Sequence, residues 1–276
     1  MTAGPTALFR HTPGRGEMGH SIMEKTQENP DFSIVTIVNN PEVFDGFCRS
    51  LETQTAIRYE LIPIYNLHGE FHSARAAYNS VLDTCRGEYI LFTHPDIRFE
   101  TPAALSSLKN DLDRLGTFGV VGAAGAAADK ENVHRRILYS SMLHGKDKRA
   151  AGAAVHGPQP VQTVDECFFV AESAYILSNR FPDADGWHLY AVELCLECLL
   201  KQKTNYVLPM DLWHISDGRS LDANYVYQLE RIIRLYGSQF PVLYTTVRIW
   251  KTRGLAAAVY RRYYALKQKI KKVLGR

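Results

Sequence analysis

The chain reads as an α/β protein built on a doubly wound, mostly parallel sheet flanked by helices, with a helical extension at its C-terminal end. Three observations carry that reading. From residue 32 onward, short apolar and β-branched segments alternate with helix-patterned segments, the order expected of βαβ units. Polar residues recur where those strands end, at Asn39, Asn40, Asn66, His94 and Asp96, and a doubly wound sheet takes its ligand at the carboxyl ends of its strands. At 276 residues, the chain is long enough for one substantial core with a small appendage.

The elements follow in order. "FSIVTIVNN" (32–40) is a β-branched strand, and "PEVFDGFCRSLETQT" (41–55) is a helix in which Val43, Phe47 and Leu51 share a face. "YELIPIYN" (59–66) is the second strand; "SARAAYNSVLDTC" (73–85) is a helix with the breaker Gly87 just beyond it. "YILFT" (89–93) is the third strand, apolar throughout, which suits burial on both faces. A helix over 102–115 and a strand over 118–125 follow, where "GVVGAAG" reads as close backbone packing. Residues 126–160, rich in Ala, Gly, Lys and His, show no period and predict long surface loops. "VQTVDECFFVAESAYIL" (161–177) resumes as strand, "GWHLYAVELCLECLLKQ" (186–202) as a helix entered from a Gly-Trp turn, and "NYVLPMDLWHIS" (205–216) as a final strand. The spans divide into an arm (1–30), a principal domain (31–218) and C-terminal helices with a basic amphipathic tail (219–276).

Composition narrows the class. No apolar run approaches the length that spans a bilayer, and the first thirty residues lack the apolar core of a signal peptide, so they read as a disordered arm. Five scattered cysteines fit reduced thiols in a cytoplasmic protein. Cys195 and Cys198 form a lone CxxC inside a helical pattern and read as helix packing. The net charge of +3 hides an asymmetry: ten Lys or Arg and no acid lie between Arg248 and Arg276, leaving 22 basic against 29 acidic residues elsewhere. Apolar residues interleave with that charge, as in a helix that lies on an anionic membrane surface or packs one stripe on the body. Charge confined to one end of an acidic body argues against nucleic-acid binding.

His94 and Asp96 flank Pro95, so their side chains can point the same way and share a cation; His214, at another strand end, can supply a third ligand. Imidazole with carboxylate suits Mn²⁺, whereas Mg²⁺ leans more on carboxylates. Capping or hydrogen bonding is the plainer role for both histidines. No Walker loop or GxGxxG occurs, so phosphate would be neutralised chiefly by a metal.

Four blocks in order, "SIVTIVNNPEVFDGFCRSL", "ARAAYNSVLDTCRGEYILFTHPDI", "VDECFFVAES", and "WHLYAVELCLECLLKQ" with "LPMDLWHIS", resemble the family 2 type of glycosyltransferase with the GT-A fold. The likeness is strongest to a branch containing a streptomycin-cluster protein. The resemblance implies a nucleotide-sugar donor, UDP-linked, gripped by Thr36, Val38, Asn39, Asn40, Asn66, Arg75 and Asn79 together with His94, Pro95 and Asp96. The last three stand where the family has Asp-x-Asp, so His94 departs from the pattern and Asp96 keeps it. His214 matches a late histidine of the metal shell, and Asp165, Glu166, Trp187 and His188 fall beside the acceptor. The family's base carboxylate falls at Ala191, which cannot take a proton. A designed Asp-to-Ala change, service by Glu193, and a natural non-catalytic binder all remain open. The implied activity is metal-dependent, inverting sugar transfer to a glycan or lipid-linked acceptor, in surface polysaccharide synthesis at the inner membrane face, with a sugar-nucleotide-binding protein as the alternative.

Overall fold

The computed structural model describes residues 29–216 and 223–273. The expected arm, save its last two residues, and the expected boundary at residue 218 lie outside the described residues. In chain order the elements are β1 (Phe32–Val38), α1 (Pro41–Glu52), β2 (Tyr59–Tyr65), α2 (Ala74–Asn79), β3 (Tyr89–Thr93), β4 (Ile97–Phe99), α3 (Ala104–Leu115), β5 (Val121–Gly122) and β6 (Ala124–Ala128). Next come β7 (Arg136–Ser140), β8 (Met142–His144), β9 (Arg149–Ala150), β10 (Gln159–Val161), β11 (Thr163–Val164), β12 (Phe168–Glu172) and α4 (Ser173–Ser178). The chain continues through α5 (Tyr190–Leu200), β13 (Asn205–Val207), β14 (Leu212–His214), α6 (Ala223–Tyr236), β15 (Val242–Tyr244), β16 (Ile249–Lys251) and α7 (Leu255–Val273).

A seven-stranded sheet, in the order β10-β13-β5-β12-β3-β1-β2, forms the frame. Strands β2, β1 and β3 run parallel, as do β5 and β13, while β12 runs antiparallel to both β3 and β5. The central strands are apolar on both faces because both are covered. Phe32 and Ile34 of β1, with Tyr89 and Leu91 of β3, pack on one side with α1 and α3. Val35, Ile90 and Phe92 pack on the other with α2 and α5. Alternation at period two thus divides each strand between two cores. A third core joins Leu189, Val192 and Leu196 of the α5 region to α6, Trp250 and Tyr264, so the C-terminal helices pack on the principal body.

Local chemistry sets the helix ends. Asn40 accepts hydrogen bonds from the Glu42 and Val43 amides at 3.0 and 3.2 Å, and Pro41 opens α1. The helix expected over 73–85 stops at Asn79 and gives way to a 3₁₀ turn at Leu82–Thr84. There the Thr84 hydroxyl donates to the Val81 carbonyl at 2.7 Å, a side-chain bond that competes with helix continuation.

Two expectations need correction. Residues 126–160 are not long loops: β6 to β10 form short strands in that stretch. Their small residues hide the strand pattern because the backbones pack closely; a Cβ on Gly125 would stand 2.7 Å from the Thr163 carbonyl oxygen. Residues 205–216 form two strands, not one. β13 joins the large sheet, whereas β14, beyond Pro209, pairs with β4 and β8 in another, and the β15–β16 hairpin follows it. Cys195 and Cys198 are free thiols buried on α5, as helix packing requires.

Candidate active site

Strand β3 delivers a turn. After Thr93, the His94 amide bonds to the Cys167 carbonyl, and the chain folds through Pro95 and Asp96 into β4. β4 pairs antiparallel with β14 in a register that sets Ile97 opposite His214, so Asp96 and His214 become neighbours although 118 residues separate them. The ligand-capable atoms of His94, Asp96 and His214 lie within 4.8 Å of one another. Asp96 Oδ2 is 3.2 Å from His214 Nε2, which is also 3.0 Å from the Ser216 hydroxyl. Asp96 Oδ1 is sealed from solvent and has no hydrogen-bond partner among the described residues.

The electrostatics suit a cation. Burial works to raise the Asp96 pKa, but the hydrogen bond and charge of His214, with help from His94, hold it well below the usual carboxylate range. Burial lowers the His94 pKa, keeping a neutral imidazole with a lone pair to give. Burial opposes the charged form of His214, and Asp96 more than offsets it, leaving that pKa raised. A carboxylate with an unused oxygen beside two imidazoles fits a divalent ion of the Mn²⁺ kind.

A cavity of about 680 Å³ opens on this cluster. Because β12 runs antiparallel to β3 with Phe168 opposite Thr93, the preceding Asp165 and Glu166 arrive beside His94. Asp165 is saturated: the Thr246 hydroxyl donates to Oδ2 at 2.6 Å and the Cys167 amide to Oδ1 at 3.1 Å. Burial pushes its pKa up, and those hydrogen bonds bring it below normal. Glu166 differs. Its Oε1 is buried without a partner among the described residues. Burial and the adjacent Asp165 charge push its pKa up to about 8, against a smaller downward pull from Arg75 and from the first amides of α5, at Tyr190 and Ala191. That helix starts from a strained residue: Leu189, on the cavity wall, holds φ +62°.

Of the residues singled out in the sequence, Asn39, Asn40, His94, Pro95, Asp96, Asp165, Glu166, Trp187, His188 and His214 all line this cavity. The Asn40 side chain there is spent on capping α1. The others lie outside the cavity wall. Thr36 and Val38 are fully buried in β1. Asn66 accepts the Phe71 amide at 2.8 Å, holding a loop, and Asn79 exchanges hydrogen bonds with the Phe181 backbone; neither lines the cavity. Arg75 and Glu193 form a buried ion pair at 2.8 Å, and Arg231 adds a second cation at 2.7 Å. Both Glu193 oxygens are consumed and its side chain is 1% exposed, which removes it as a base. Ala191 is fully buried in the core and forms none of the cavity wall.

The sequence reading missed Tyr190, whose hydroxyl lies 3.2 Å from His94 Nε2, and the turn Thr245–Val247 that closes the wall from the C-terminal hairpin. An apolar Tyr in a helical pattern and a Thr-Thr pair far along the chain carry no signal of their own.

Comparisons with known proteins bear on the family and the fold. Residues 33–236 match the sequence model described as Glycosyltransferase like family. A curated relative, "ATP synthase subunits region ORF 6" of Fuscovulum blasticum, is 24% identical over 229 residues, covering 80% of this chain and 89% of that protein. Among solved structures, S. aureus TarS 1-349 in complex with UDP-GlcNAc superposes with a TM-score of 0.53 at 12% identity, over 75% of this chain and 66% of that one. A further structure of TarS 1-349 gives a TM-score of 0.52 at 12% identity, over 75% of this chain and 64% of that fragment, so the chain spans slightly less than two thirds of its length. Mannosyltransferase PcManGT from Pyrobaculum calidifontis, in complex with GDP-Man and Mn²⁺, gives 0.52 at 13% identity, over 91% and 76% of the two chains. At such identities the likeness bears on the fold, which is of the GT-A type.

Proposed function

This chain belongs to the glycosyltransferase-like family, and from that premise we propose that it is a metal-dependent, inverting glycosyltransferase using a nucleotide-diphosphate sugar, UDP-linked, with Glu166 as the base. The observation that carries the metal site is the buried Oδ1 of Asp96, without a partner among the described residues, on a carboxylate grouped with His94 and His214. Those three side chains would hold the ion. When bound, it neutralises the charge that develops on the leaving diphosphate.

The remaining steps fall to the chain's own residues. Ile37 and Asn39 at the end of β1 form the wall on which the nucleoside lies. Trp187, at 36% exposure, offers a ring face to a sugar of the acceptor. The acceptor hydroxyl gives its proton to Glu166 as its oxygen attacks the anomeric carbon, and the bond from that carbon to the diphosphate oxygen breaks. Glu166 is favoured by elimination. Asp165 has both oxygens occupied and Glu193 is locked away; of the two cavity acids that keep an unpaired oxygen among the described residues, Asp96 serves the metal and Glu166 is left for the base. A carboxyl with a raised pKa is also a stronger base than an ordinary one. Glu166 thus answers for the carboxylate that position 191 lacks. The acceptor is a hydroxyl of a glycan or lipid-linked glycan.

A thermal-shift screen of UDP, GDP, CDP and dTDP sugars with and without Mn²⁺ tests the donor reading: stabilisation by a UDP-sugar that needs Mn²⁺ is the expected result. Nucleotide release assays then test the base. Glu166→Gln is expected to lower turnover by ~10²-fold or more with donor binding retained. Ala191→Asp is expected to give no gain, because a carboxylate there enters a sealed core. A gain of orders of magnitude in Ala191→Asp overturns the assignment of Glu166. Donor binding without turnover of any nucleotide sugar would leave a binding protein of the same fold.

A further inference from the structure

We propose that helix α7 lies on an anionic membrane surface with an apolar stripe inserted among the headgroups. The helix has two unlike faces. One is docked on the body: Tyr264 and Arg261 are 7% and 5% exposed, Arg261 Nε pairs with Glu230 at 2.7 Å, and the Tyr264 ring meets Trp250 edge-on at 5.2 Å. The opposite face carries Leu255, Val259, Tyr263, Leu266 and Ile270, exposed by 83, 58, 60, 57 and 49%. At the turn of an α-helix these five fall within an arc of about 80°. Packing on the body therefore leaves a second apolar stripe of the helix uncovered.

Charge selects the occupant. By the same helical angle, Arg262 and Lys269 border one edge of the stripe and Lys267 the other, and all three are exposed. No acidic residue occurs from Arg248 to Arg276. A second copy docked on the stripe would set these cationic borders against their own kind, whereas anionic headgroups meet them with opposite charge. Among the described residues no helix is long and apolar enough to cross a membrane, so α7 lies along the surface. The helix is also tied to the cavity. Tyr260 and Tyr264 stack on Arg248, and the β15–β16 hairpin that carries Arg248 contributes Thr245–Val247 to the cavity wall. On the transferase reading, this places the site close to a membrane-held acceptor.

Vesicle co-sedimentation of the full chain tests the proposal. Vesicles of phosphatidylcholine with one part in four phosphatidylglycerol are compared with pure phosphatidylcholine. The parent is expected to partition at least ~10-fold more strongly into the anionic vesicles, with the gain lost at high salt. The double variants Val259→Ser/Leu266→Ser and Arg262→Glu/Lys269→Glu are each expected to lose ~10-fold in partitioning while their thermal unfolding matches the parent. Absence of partitioning by the parent overturns the proposal, as does equal partitioning into both vesicles. A stable dimer by light scattering that dissolves in the Val259→Ser/Leu266→Ser variant overturns it as well, by assigning the stripe to a second copy. UDP-sugar binding in vesicle-free solution is expected to be the same in all forms, so this outcome stands apart from that of the transferase reading.

Discussion

Two carboxylate clusters meet the start of α5, through Arg75 on the His188 carbonyl and His94 on the Tyr190 hydroxyl, and they have opposite characters. Around Glu193, Arg75 and Arg231 satisfy both oxygens, and both side chains of the Arg75–Glu193 pair are 1% exposed. Around Asp96, His214 approaches one oxygen, and the other is sealed and without a partner among the described residues. Both clusters are charged, the first buried and the second partly so, and both involve residues singled out in the sequence. The difference is saturation. A buried polar atom without a partner costs free energy, and on a cavity wall a ligand can supply the missing partner. Glu166, with its own orphaned oxygen, belongs with Asp96; Asp165, fully paired, belongs with Glu193.

The contrast is sharpest in stability. Glu193→Ala leaves Arg75 buried without its counter-ion, so urea unfolding is expected to show a loss of about 3–5 kcal/mol. A loss under 1 kcal/mol would break the distinction between a locked pair and an open site. Next is Glu166. Its folded pKa, about 8, stands above its unfolded value near 4.3. The native state therefore holds the proton more tightly; that stability is fully present below pH ~4, and is lost as pH rises toward 8. Glu166→Gln removes the loss, so the variant is expected to be more stable than the parent at pH 9, on the order of 3 kcal/mol, and equal to it near pH 4. Equal stabilities at both pH values would show the carboxyl to be ordinarily solvated. The smallest expected effect on the free protein is that of Asp96→Asn, a loss on the order of 1–2 kcal/mol by urea unfolding at pH 7, because it removes the charge that pairs with His214 in a part-exposed, screened setting.

The frame was legible in the sequence because its strands are buried on both faces: the apolar runs at 32–38 and 89–93 have no other plausible home, and they are β1 and β3. The polar ends of those strands marked the site for the same reason, since an apolar strand that ends in His-Pro-Asp must end at a surface. What stayed hidden came from pairings remote in sequence. Nothing near Arg75 or Glu193 announces that each neutralises the other across 118 residues. Thr246, which saturates Asp165, sits 81 residues beyond it. The strands of residues 124–150 escaped because alanine and glycine carry almost no hydrophobic period. Glu166 reads in the sequence as an acceptor contact; that only one of its oxygens lacks a partner among the described residues emerges in the fold, where the α5 start meets it.

The central claim is that the oxygen left unpaired on Asp96 exists to meet a cation, and Mn²⁺ electron paramagnetic resonance tests it most directly. Free Mn²⁺ gives a sharp six-line signal that weakens on binding. With UDP present, one equivalent of the parent protein is predicted to remove most of that signal, while Asp96→Asn, folded as judged by its circular dichroism, leaves it nearly intact. If the variant quenches the signal as fully as the parent does, or the parent fails to quench it, residues 94, 96 and 214 are not a metal site and the account fails at its root.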